Sequence, residues 1–350
     1  MHSRLRYWKY PIFIVMLLIT TLLFATIYSL NDSASAPYDG FDDRPDDVIE
    51  TPDITDNPND ITNRDGEPDD EPDIIPTDNP NDDNHDIPEY AFVTMDEADI
   101  YDGFLLLVNR NHEFVIPDNL DVVNIVSFKT EPFRVLPPHY LLLRSVIGSL
   151  DKMMAEYVQS TRDRTVAINS AFRTVEQQEK VLNDRIARVG RTEAMRWVAN
   201  PGFSEHHTGL AIDLIGYSGG YRMDFTGVGS TAWFRRNSYR FGWIRRYPPD
   251  KTRITMVPHE PWHFRYVGLP HSYIMFENNW ALEEYLNILR DHTMDEPFIY
   301  EFEDIEYEIY FAEGLIVPIA FNREFVLSGN NVDGFIVTAH LPVDESIMFP

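Results

Sequence analysis

The sequence predicts an α+β domain, an antiparallel sheet with flanking helices, between an acidic N-terminal region and a small β-rich C-terminal extension. Three observations support this prediction. An uncharged apolar run lies near the N-terminus, at residues 12–30. Residues 31–88 are dominated by Asp, Pro, Asn and Thr. From residue 89 onwards, strand-like and helix-like patterns mix without a regular β-α-β rhythm, which favours an α+β fold over a parallel sheet.

The apolar run at residues 12–30 is long enough to cross a membrane as a helix. Such a helix would measure about 28 Å, close to the thickness of the hydrocarbon core of a bilayer. The residues before it are basic (Arg4, Arg6 and Lys9), and the next basic residue after it is Arg44. The positive-inside rule then makes residues 1–11 a cytoplasmic tail and places the rest of the chain outside the cell. A cleaved signal peptide is the alternative, because Ala34-Ser35-Ala36 resembles a cleavage site, but the length of the run favours a retained anchor.

Residues 31–88 are predicted to be a disordered acidic linker. The chain has a net charge of −28, and Tyr38–Tyr90 holds 20 acidic residues against two arginines, which accounts for 18 of the 28 excess negative charges. This composition cannot bury enough apolar area to offset the entropy lost on ordering. The hexapeptide TDNPND occurs at 55–60 and again at 77–82, but it lacks the spacing of a calcium-binding loop. Repelling charges and frequent proline favour an extended spacer.

Composition limits the chemistry available to the folded part. The chain has no cysteine, which excludes disulfides, thiol nucleophiles and thiolate metal sites. A bound metal would therefore need His, Asp or Glu ligands. The sequence outside the linker contains no basic face, so we expect no binding to nucleic acid.

Apolar periodicity predicts the elements of a domain at residues 89–289. Strands around turns are expected at 103–114 and 121–128, and further strands at 165–172, 208–215, 240–247 and 263–268. Helical spacing of apolar residues indicates helices at 140–158, 175–188, 191–198 and 280–289. Residues 290–350 change to alternating strand patterns with Gly and Asn turns. They are predicted to form a β-rich extension without an evident catalytic group.

The first cluster of candidate functional residues lies in NPGFSEHHTGLAIDL, residues 200–214. A strand over its last residues would direct Asp213 away from its apolar neighbours, and such an aspartate must be solvated, paired or bound to a metal. His206 and His207 lie just before this strand, within reach of Asp213. Imidazole and carboxylate together suit zinc, although buried His–Asp pairs that serve only the structure are about as common.

The second cluster lies in VPHEPWHFRYVG, residues 257–268. It contains H-E-x-x-H, formed by His259, Glu260 and His263, which is the spacing of the helical zinc proteases. That interpretation requires a helix, and Pro261 inside such a helix would cost about 3 kcal/mol. The aromatic residues that follow favour a strand instead. We therefore do not expect His259 to bind a metal.

Together these segments resemble the zinc D-alanyl-D-alanine carboxypeptidases of the vancomycin-resistance type, with their L,D-carboxypeptidase and hedgehog-fold relatives. The family pattern SxHxxGxAxD is present at residues 204–213, and EPWHFRYVG at 260–268. SAFRTVEQQ, residues 170–178, resembles the family's SGYRSxxxQ with Ala and Phe in place of Gly and Tyr. The resemblance covers roughly residues 103–289 and implies a zinc hydrolase with the same α+β fold.

The resemblance also implies roles for individual residues. One zinc ion would have three protein ligands: His206, Asp213 and His263. Glu260 would be the general base, and Arg173 would bind the substrate carboxylate or the developing oxyanion. Gln178 and Ser204 would help to bind a terminal D-alanine. The implied substrate is a peptidoglycan stem peptide that ends in D-alanine.

Other histidines, tryptophans and arginines are expected to have structural or solvated positions. His207 is assigned a supporting or surface position. Three further histidines have no partner at ligand spacing: His271, His292 and His340. Trp243 and Trp262 are expected to pack in the core. Arg245 and Arg246 could attract an anionic peptide, but a solvated pair is the simpler interpretation.

The sequence leaves three functions open. The favoured one is a monomeric carboxypeptidase, anchored in the cell membrane by a single helix, with its catalytic domain on the outer face of a Gram-positive type surface. D,D and L,D specificity are both compatible with it. The second is a peptidoglycan-binding or sensory module that has lost turnover, and the third is a wall endopeptidase of the same fold. The presence of every residue that the chemistry needs favours an enzyme.

Overall fold

The computed structural model describes residues 90–342. The predicted anchor at residues 12–30 and the predicted linker at 31–88 lie outside this range, so both stay predictions. Within the described range, no helix combines the length and the apolar character that crossing a membrane requires. Helices and mainly antiparallel sheets form the fold there, as the sequence predicts.

A central sheet positions the candidate site. Its strands have these bounds: β3 (Arg134–Val135), β5 (Val166–Ser170), β6 (Ala211–Ser218), β7 (Tyr221–Met223), β8 (Trp243–Tyr247) and β9 (Glu260–Tyr266). Their order across the sheet is β3-β5-β6-β9-β8, with β7 beside β6. β3 and β5 run parallel, and the other pairings in this sheet are antiparallel.

The helices are short, apart from two of fifteen residues each. Their bounds are α1 (Ile125–Phe128), α2 (Ile147–Thr161), α3 (Val175–Val189), α4 (Arg191–Trp197), α5 (Ala232–Asn237), α6 (Thr252–Thr255), α7 (His271–Glu277) and α8 (Leu282–Leu289). α2 forms because Leu150, Met154 and Tyr157 recur at helical spacing and all are buried. α3 begins with a capping box between Thr174 and Gln177.

The predicted helix over residues 140–158 is wrong at its start. Leu141–Leu143 is a strand, β4, which pairs with β2 (Val122–Asn124), and α2 begins only at Ile147. Leu142 is fully buried in this pairing. An apolar run that fits one face of a helix can equally fill a short buried strand, and here the tertiary partner decides.

The strands predicted at residues 103–114 and 121–128 are largely absent. Residues 103–114 form an extended loop with one isolated bridge, Asn109 to His112. After β2, the chain enters α1, because the Asn124 side chain accepts a hydrogen bond from the Ser127 N–H and caps the helix. Backbone N–H groups of this loop donate hydrogen bonds to residues that are distant in sequence, such as Ser328 and Asn330. Short-range sequence patterns do not reveal such partners.

The C-terminal residues form two further sheets. The first contains β10 (Phe298–Phe302), β11 (Ile305–Glu313), β13 (Glu324–Gly329) and β14 (Gly334–His340), in the order β10-β11-β14-β13. The second pairs β12 (Ile316–Ala320) with β1 (Tyr90–Thr94). The first described strand of the chain therefore pairs with residues far along the sequence.

The described residues share cores across these sheets. Ile212 and Leu214 of β6 pack with residues of α2 and α5 in the main core. A second core joins α7 and α8 to Leu105 of the extended loop and to Ile309 and Ile336 of the C-terminal sheet. The C-terminal strands thus complete a core that the helices after β9 begin.

We predict that replacing Ile309 with alanine lowers the free energy of unfolding by about 2–5 kcal/mol, because Ile309 is fully buried in the shared core. Ile299→Ala, on the neighbouring strand and 51% exposed, is the matched control and should cost far less. Urea denaturation of both variants measures the difference. Two separate transitions, with only one of them shifted, would contradict a shared core.

Candidate metal centre and catalytic site

The three predicted metal ligands meet at the middle of the central sheet. Asp213 in β6 lies directly opposite His263 in β9, and its other neighbour is Ser170 in β5. His206 lies in a 3₁₀ turn, Glu205–Thr208, just before β6. One donor atom from each of Asp213, His206 and His263 lies within 4.8 Å of the other two. Sheet register and this turn bring the predicted set together.

The contacts of His206 fix which of its nitrogens faces the cluster. Its Nδ1 lies 2.6 Å from the carbonyl oxygen of Ala171. A carbonyl can only accept, so Nδ1 carries the proton and donates it. Its Nε2 then has a free lone pair, 3.2 Å from Oδ2 of Asp213. Burial lowers the pKa of His206, which also favours the neutral, ligating form.

His263 is oriented the other way round from His206, with its Nδ1 rather than its Nε2 facing Asp213. Its Nε2 lies 3.1 Å from Oε2 of Glu205, and its Nδ1 lies 2.9 Å from Oδ1 of Asp213. Burial opposes a charge on His263, but the bonds to Asp213 and Glu205 outweigh it and raise the pKa of His263 to about 10. Two carboxylates therefore stabilise positive charge at this ring, and a metal cation at Nδ1 would supply the same charge.

Glu205 is a residue beside the predicted ligands that the sequence analysis missed. Its carboxylate is buried and accepts hydrogen bonds from Arg246 Nε at 2.7 Å and Arg265 Nη1 at 3.0 Å. Burial opposes its ionisation, but the two guanidinium groups outweigh that effect and hold the pKa of Glu205 well below its usual range. The only available signal was its place inside the SxH pattern.

Arg246 is not the solvated residue that the sequence suggested. It is almost fully buried in β8, and besides Glu205 it binds both carboxylate oxygens of Glu283 in α8, at 2.6 and 2.8 Å. Arg245, its neighbour, is half-buried. Strand alternation explains the difference, because successive side chains point to opposite faces of β8.

Glu260 begins β9 beside the predicted ligands. Its Oε2 lies 4.0 Å from Nδ1 of His263. A bulge shifts the β8–β9 register between Arg245 and Tyr247, so that β9 has two extra residues there and Glu260 approaches His263. Burial raises the pKa of Glu260 to about 8, with Asp213 adding to the rise and His263 opposing it. A carboxyl with a pKa near neutrality can both accept and return a proton.

Arg173 borders the cluster on the β5 side. Its Nη2 lies 2.8 Å from Ser170 Oγ and 4.0 Å from Oδ2 of Asp213, and its Nη1 donates to Gln178 Oε1 at 2.6 Å. Gln178 is buried and also donates to the carbonyl oxygen of Ala199. The amide of Gln178 therefore orients Arg173, a role that the sequence did not suggest.

Ser204 and Tyr140 complete the surroundings. Ser204 precedes the histidine turn, and its Oγ accepts the His206 N–H at 3.4 Å. Burial raises the pKa of the Tyr140 phenol, while the charge of Arg173 lowers it and that of Asp213 raises it. Tyr140 was absent from the sequence-based set because it lies outside every motif.

The remaining histidines stay apart from the cluster. His207 is buried, and its two nitrogens bond to the Arg173 carbonyl oxygen and the Gly202 N–H. His259 bonds to the carbonyl oxygen of Tyr247. Glu260–Tyr266 is a strand, so H-E-x-x-H does not have its helical geometry. His271 lies in the core, bonded to Tyr285 and Thr338.

The donor chemistry of the cluster fits a zinc ion. It offers two imidazole nitrogens and one carboxylate, a three-ligand set typical of catalytic zinc. His206 and His263 each donate their other N–H to an oxygen acceptor, and such a contact orients a ligating imidazole.

Known proteins similar to this chain establish its family. Residues 141–269 match the VanY family, described as D-alanyl-D-alanine carboxypeptidase. A D-alanyl-D-alanine carboxypeptidase from Enterococcus faecium is 31% identical over 252 residues, which are 70% of this chain and 78% of that relative. The chain belongs to the VanY D-alanyl-D-alanine carboxypeptidase family. The matched VanY segment includes every predicted site residue.

Two further comparisons agree with membership of the VanY family. A D-alanyl-D-alanine carboxypeptidase from Enterococcus faecalis is 40% identical over 201 residues, covering 55% of this chain and 69% of that relative. Among solved structures, the vancomycin-resistance D,D-dipeptidase VanXYg, in complex with a D-Ala-D-Ala phosphinate analog, is 33% identical with a TM-score of 0.64. The match covers 72% of this chain and 99% of VanXYg.

We predict that Glu205→Gln weakens metal binding about 10- to 100-fold, because the change removes the charge that orients His263. Glu283→Gln is the matched control: it removes a carboxylate from the same Arg246 but does not contact His263. Competition of the purified variants with a chelator measures the affinity, and urea denaturation measures the stability. Both variants should lose stability, but only Glu205→Gln should lose metal affinity. Equal metal affinity in the two variants would contradict this role of Glu205.

Proposed function

We propose that the protein is a zinc-dependent carboxypeptidase that removes the C-terminal D-alanine from peptidoglycan stem peptides at the outer cell surface. The arrangement of His206, Asp213 and His263 with the buried Glu260 beside them is the observation that carries the proposal. Membership of the VanY family supports it, and so does the D-Ala-D-Ala analog bound to the similar VanXYg protein.

His206 through Nε2, His263 through Nδ1 and the carboxylate of Asp213 would hold the ion. A bound zinc ion would act as a Lewis acid and would lower the pKa of a coordinated water towards about 7. Glu205 and the Ala171 carbonyl keep the two rings in the required tautomers. These residues serve to fix the donors before the substrate arrives.

Glu260 would act as the general base and then as the general acid. Its carboxylate would take the proton of the attacking water and later deliver it to the amine of the departing D-alanine. Its position beside His263 allows both transfers at one place. One water molecule hydrolyses one peptide bond, and the products are a shortened peptide and free D-alanine.

Arg173 would bind the terminal carboxylate of the substrate or the oxyanion that develops at the scissile carbonyl. Two of its nitrogens are already fixed by Ser170 and Gln178, so the orientation of the guanidinium is set in advance. Gln178 would contribute to substrate binding through Arg173, and Ser204 through the turn that carries His206. An oriented charge of this kind stabilises charge that develops during a reaction.

The location of the enzyme belongs to the same proposal. An N-terminal helix at residues 12–30 would anchor a single-pass, monomeric protein, and residues 31–88 would extend the catalytic domain from the membrane into the wall. D,D specificity is favoured by the family to which the chain belongs. The assay below distinguishes D,D-carboxypeptidase activity from L,D cleavage and from internal cleavage of wall peptides.

We predict that the purified protein with zinc releases one D-alanine from a stem pentapeptide and leaves the tetrapeptide intact. Glu260→Gln should retain zinc but lose about 10²- to 10⁴-fold in turnover, because the positioned proton transfer is removed. Chromatography of the released amino acid measures both. Release of D-alanine from the tetrapeptide would indicate L,D activity, and internal fragments would indicate an endopeptidase. Near-normal turnover of Glu260→Gln would exclude Glu260 as the base.

We predict that alanine at any one of His206, Asp213 and His263 abolishes zinc retention. His259→Ala is the control, since His259 lies next to Glu260 but bonds only to a backbone carbonyl. Elemental analysis after gel filtration measures the bound metal. Loss of the metal from His259→Ala would return the H-E-x-x-H interpretation.

A further inference from the structure

The face of the central sheet that carries Asp213 is open along β6. Ile212 and Leu214 point to the other face and are buried in the main core. The side chains that alternate with them, those of Asp213, Ile215 and Tyr217, are partly exposed. At about 3.3 Å per residue, Tyr217 lies about 13 Å along the strand from Asp213. These three residues form the open stretch of β6, which begins at the predicted metal ligands.

The same face is covered on the β8 side and at the start of β6. Arg265 of β9 lies opposite both Ala211 and Ile244, so the three side chains share the face of Asp213. Ala211 and Arg265 are fully buried, and Ile244 packs with α7 and α8 in the second core. Among the residues that the structure describes, this part of the face leaves no path for a peptide.

The residues proposed to bind the terminal D-alanine lie at a closed end of the site. Gln178 is 1% exposed and Ser204 is 6% exposed. A chain terminus can end among buried residues, but the rest of a bound peptide needs exposed surface. A stem peptide with its terminal D-alanine at Gln178 and Ser204 would therefore extend over the open stretch towards Tyr217.

Two arginines lie at the far end of the open stretch. Arg222 of β7 lies directly opposite Tyr217, so its side chain points to the face of Asp213. Arg134 of β3 approaches the same tyrosine. Its Nη1 donates to the Tyr217 carbonyl oxygen at 3.1 Å, and its guanidinium carbon lies 5.4 Å from the centre of the ring. Arg134 is exposed and forms no ion pair with an acidic residue within residues 90–342.

The contacts of Arg222 orient it and relate it to the candidate site. Its Nη1 donates to Oδ1 of Asn169, at the bulge of β5, over 2.6 Å. An amide is neutral, so this bond orients the guanidinium without cancelling its charge. Burial raises the pKa of the Tyr140 phenol, Arg173 lowers it, Asp213 raises it and Arg222 lowers it. The charge of Arg222 thus acts on a phenol that also responds to the residues of the site.

Positive charge that a ligand can reach is scarce on this chain. The sequence has 57 acidic and 29 basic residues. Two other arginines of the central sheet, Arg246 and Arg265, are buried and bound to Glu205. Most of the molecule therefore repels an anionic group, whereas the end of the open stretch attracts one.

We propose that Arg134 and Arg222 bind a free carboxylate of the stem peptide, three or four residues upstream of the scissile bond. This inference rests on the proposed function for its substrate. An extended peptide covers the distance of about 13 Å from Asp213 to Tyr217 with about four residues. A guanidinium presents a planar fork of donors that matches a carboxylate. The pair would make the enzyme prefer stem peptides whose acidic residue is free over those in which it is amidated.

The test measures binding without turnover, in a Glu260→Gln background loaded with zinc. Calorimetry compares two stem pentapeptides, one with the free carboxylate and one with the same group amidated. The free form should bind about tenfold more tightly, which is the effect of one charge-assisted hydrogen bond. Arg134→Gln and Arg222→Gln together should abolish this preference.

Arg236→Gln is the matched control. It also removes an exposed arginine, but from α5, whose Trp233 and Phe234 pack against the opposite face of the sheet. The control should keep the tenfold preference. Arg134→Gln alone is a second variant, because Arg134 is exposed and its replacement leaves the hydrogen bond of Arg222 intact. It should reduce the preference without abolishing it.

Equal affinity for the two peptides in the background protein would overturn the inference, as would no binding of either. A preference that survives in the double arginine variant, or that Arg236→Gln removes as well, would also overturn it. The proposed reaction is judged separately, by release of D-alanine from the wild-type protein. A protein that discriminates between the peptides but releases no D-alanine would keep the arginine pair and lose the proposed reaction.

Discussion

The buried carboxylate of Glu205 is the constraint on which the site depends. An unpaired carboxylate in this position would carry a large desolvation cost, so its ionisation requires Arg246 and Arg265 beside it. Its remaining oxygen is then committed to Nε2 of His263. That bond fixes the tautomer of the ring and directs Nδ1 towards Asp213. The geometry of the candidate metal site therefore follows from how one acidic group is neutralised.

The same constraint explains how parts of the chain outside the catalytic motifs reach the site. Arg265 donates from Nη2 to the carbonyl oxygens of Phe104 and Leu106, in the extended loop. The C-terminal sheet holds this loop, since Ser328 Oγ accepts the Leu105 N–H. Nearby, the Asn330 carbonyl oxygen accepts a hydrogen bond from the Leu107 N–H of the same loop. A continuous series of buried contacts thus joins the last strands to His263. The C-terminal strands support the geometry of the site without contributing a group to it.

The sequence predicted those residues of the site that stand out from their immediate neighbours or that belong to the family pattern. Asp213 could be singled out because it interrupts an apolar strand, and Pro261 ruled out a helix at the second histidine. The sequence did not reveal that Arg246 is buried, because its partners lie 41 and 37 positions away and only the folded sheet brings them close. The strand prediction for residues 103–114 was wrong for the same reason. The hydrogen-bond partners of this loop include Ser328 and Arg265, both more than 150 residues away in sequence, beyond any periodicity.

The charges of the buried groups indicate how the site can hold a metal and still accept an anionic peptide. The carboxylates of Glu205 and Glu283 are balanced by Arg246 and Arg265, so that group of four is close to neutral. Asp213 and Glu260 then face Arg173 and His263, and burial raises the pKa of Glu260 to about 8, with Asp213 adding to the rise and His263 opposing it. A dication bound by the proposed ligands would favour the ionised form of Glu260, the form that accepts a proton. With the dication in place the inner site would be net positive, so a terminal carboxylate could approach Arg173 without repulsion. Binding of the metal, activation of the base and admission of the substrate would then share one electrostatic cause.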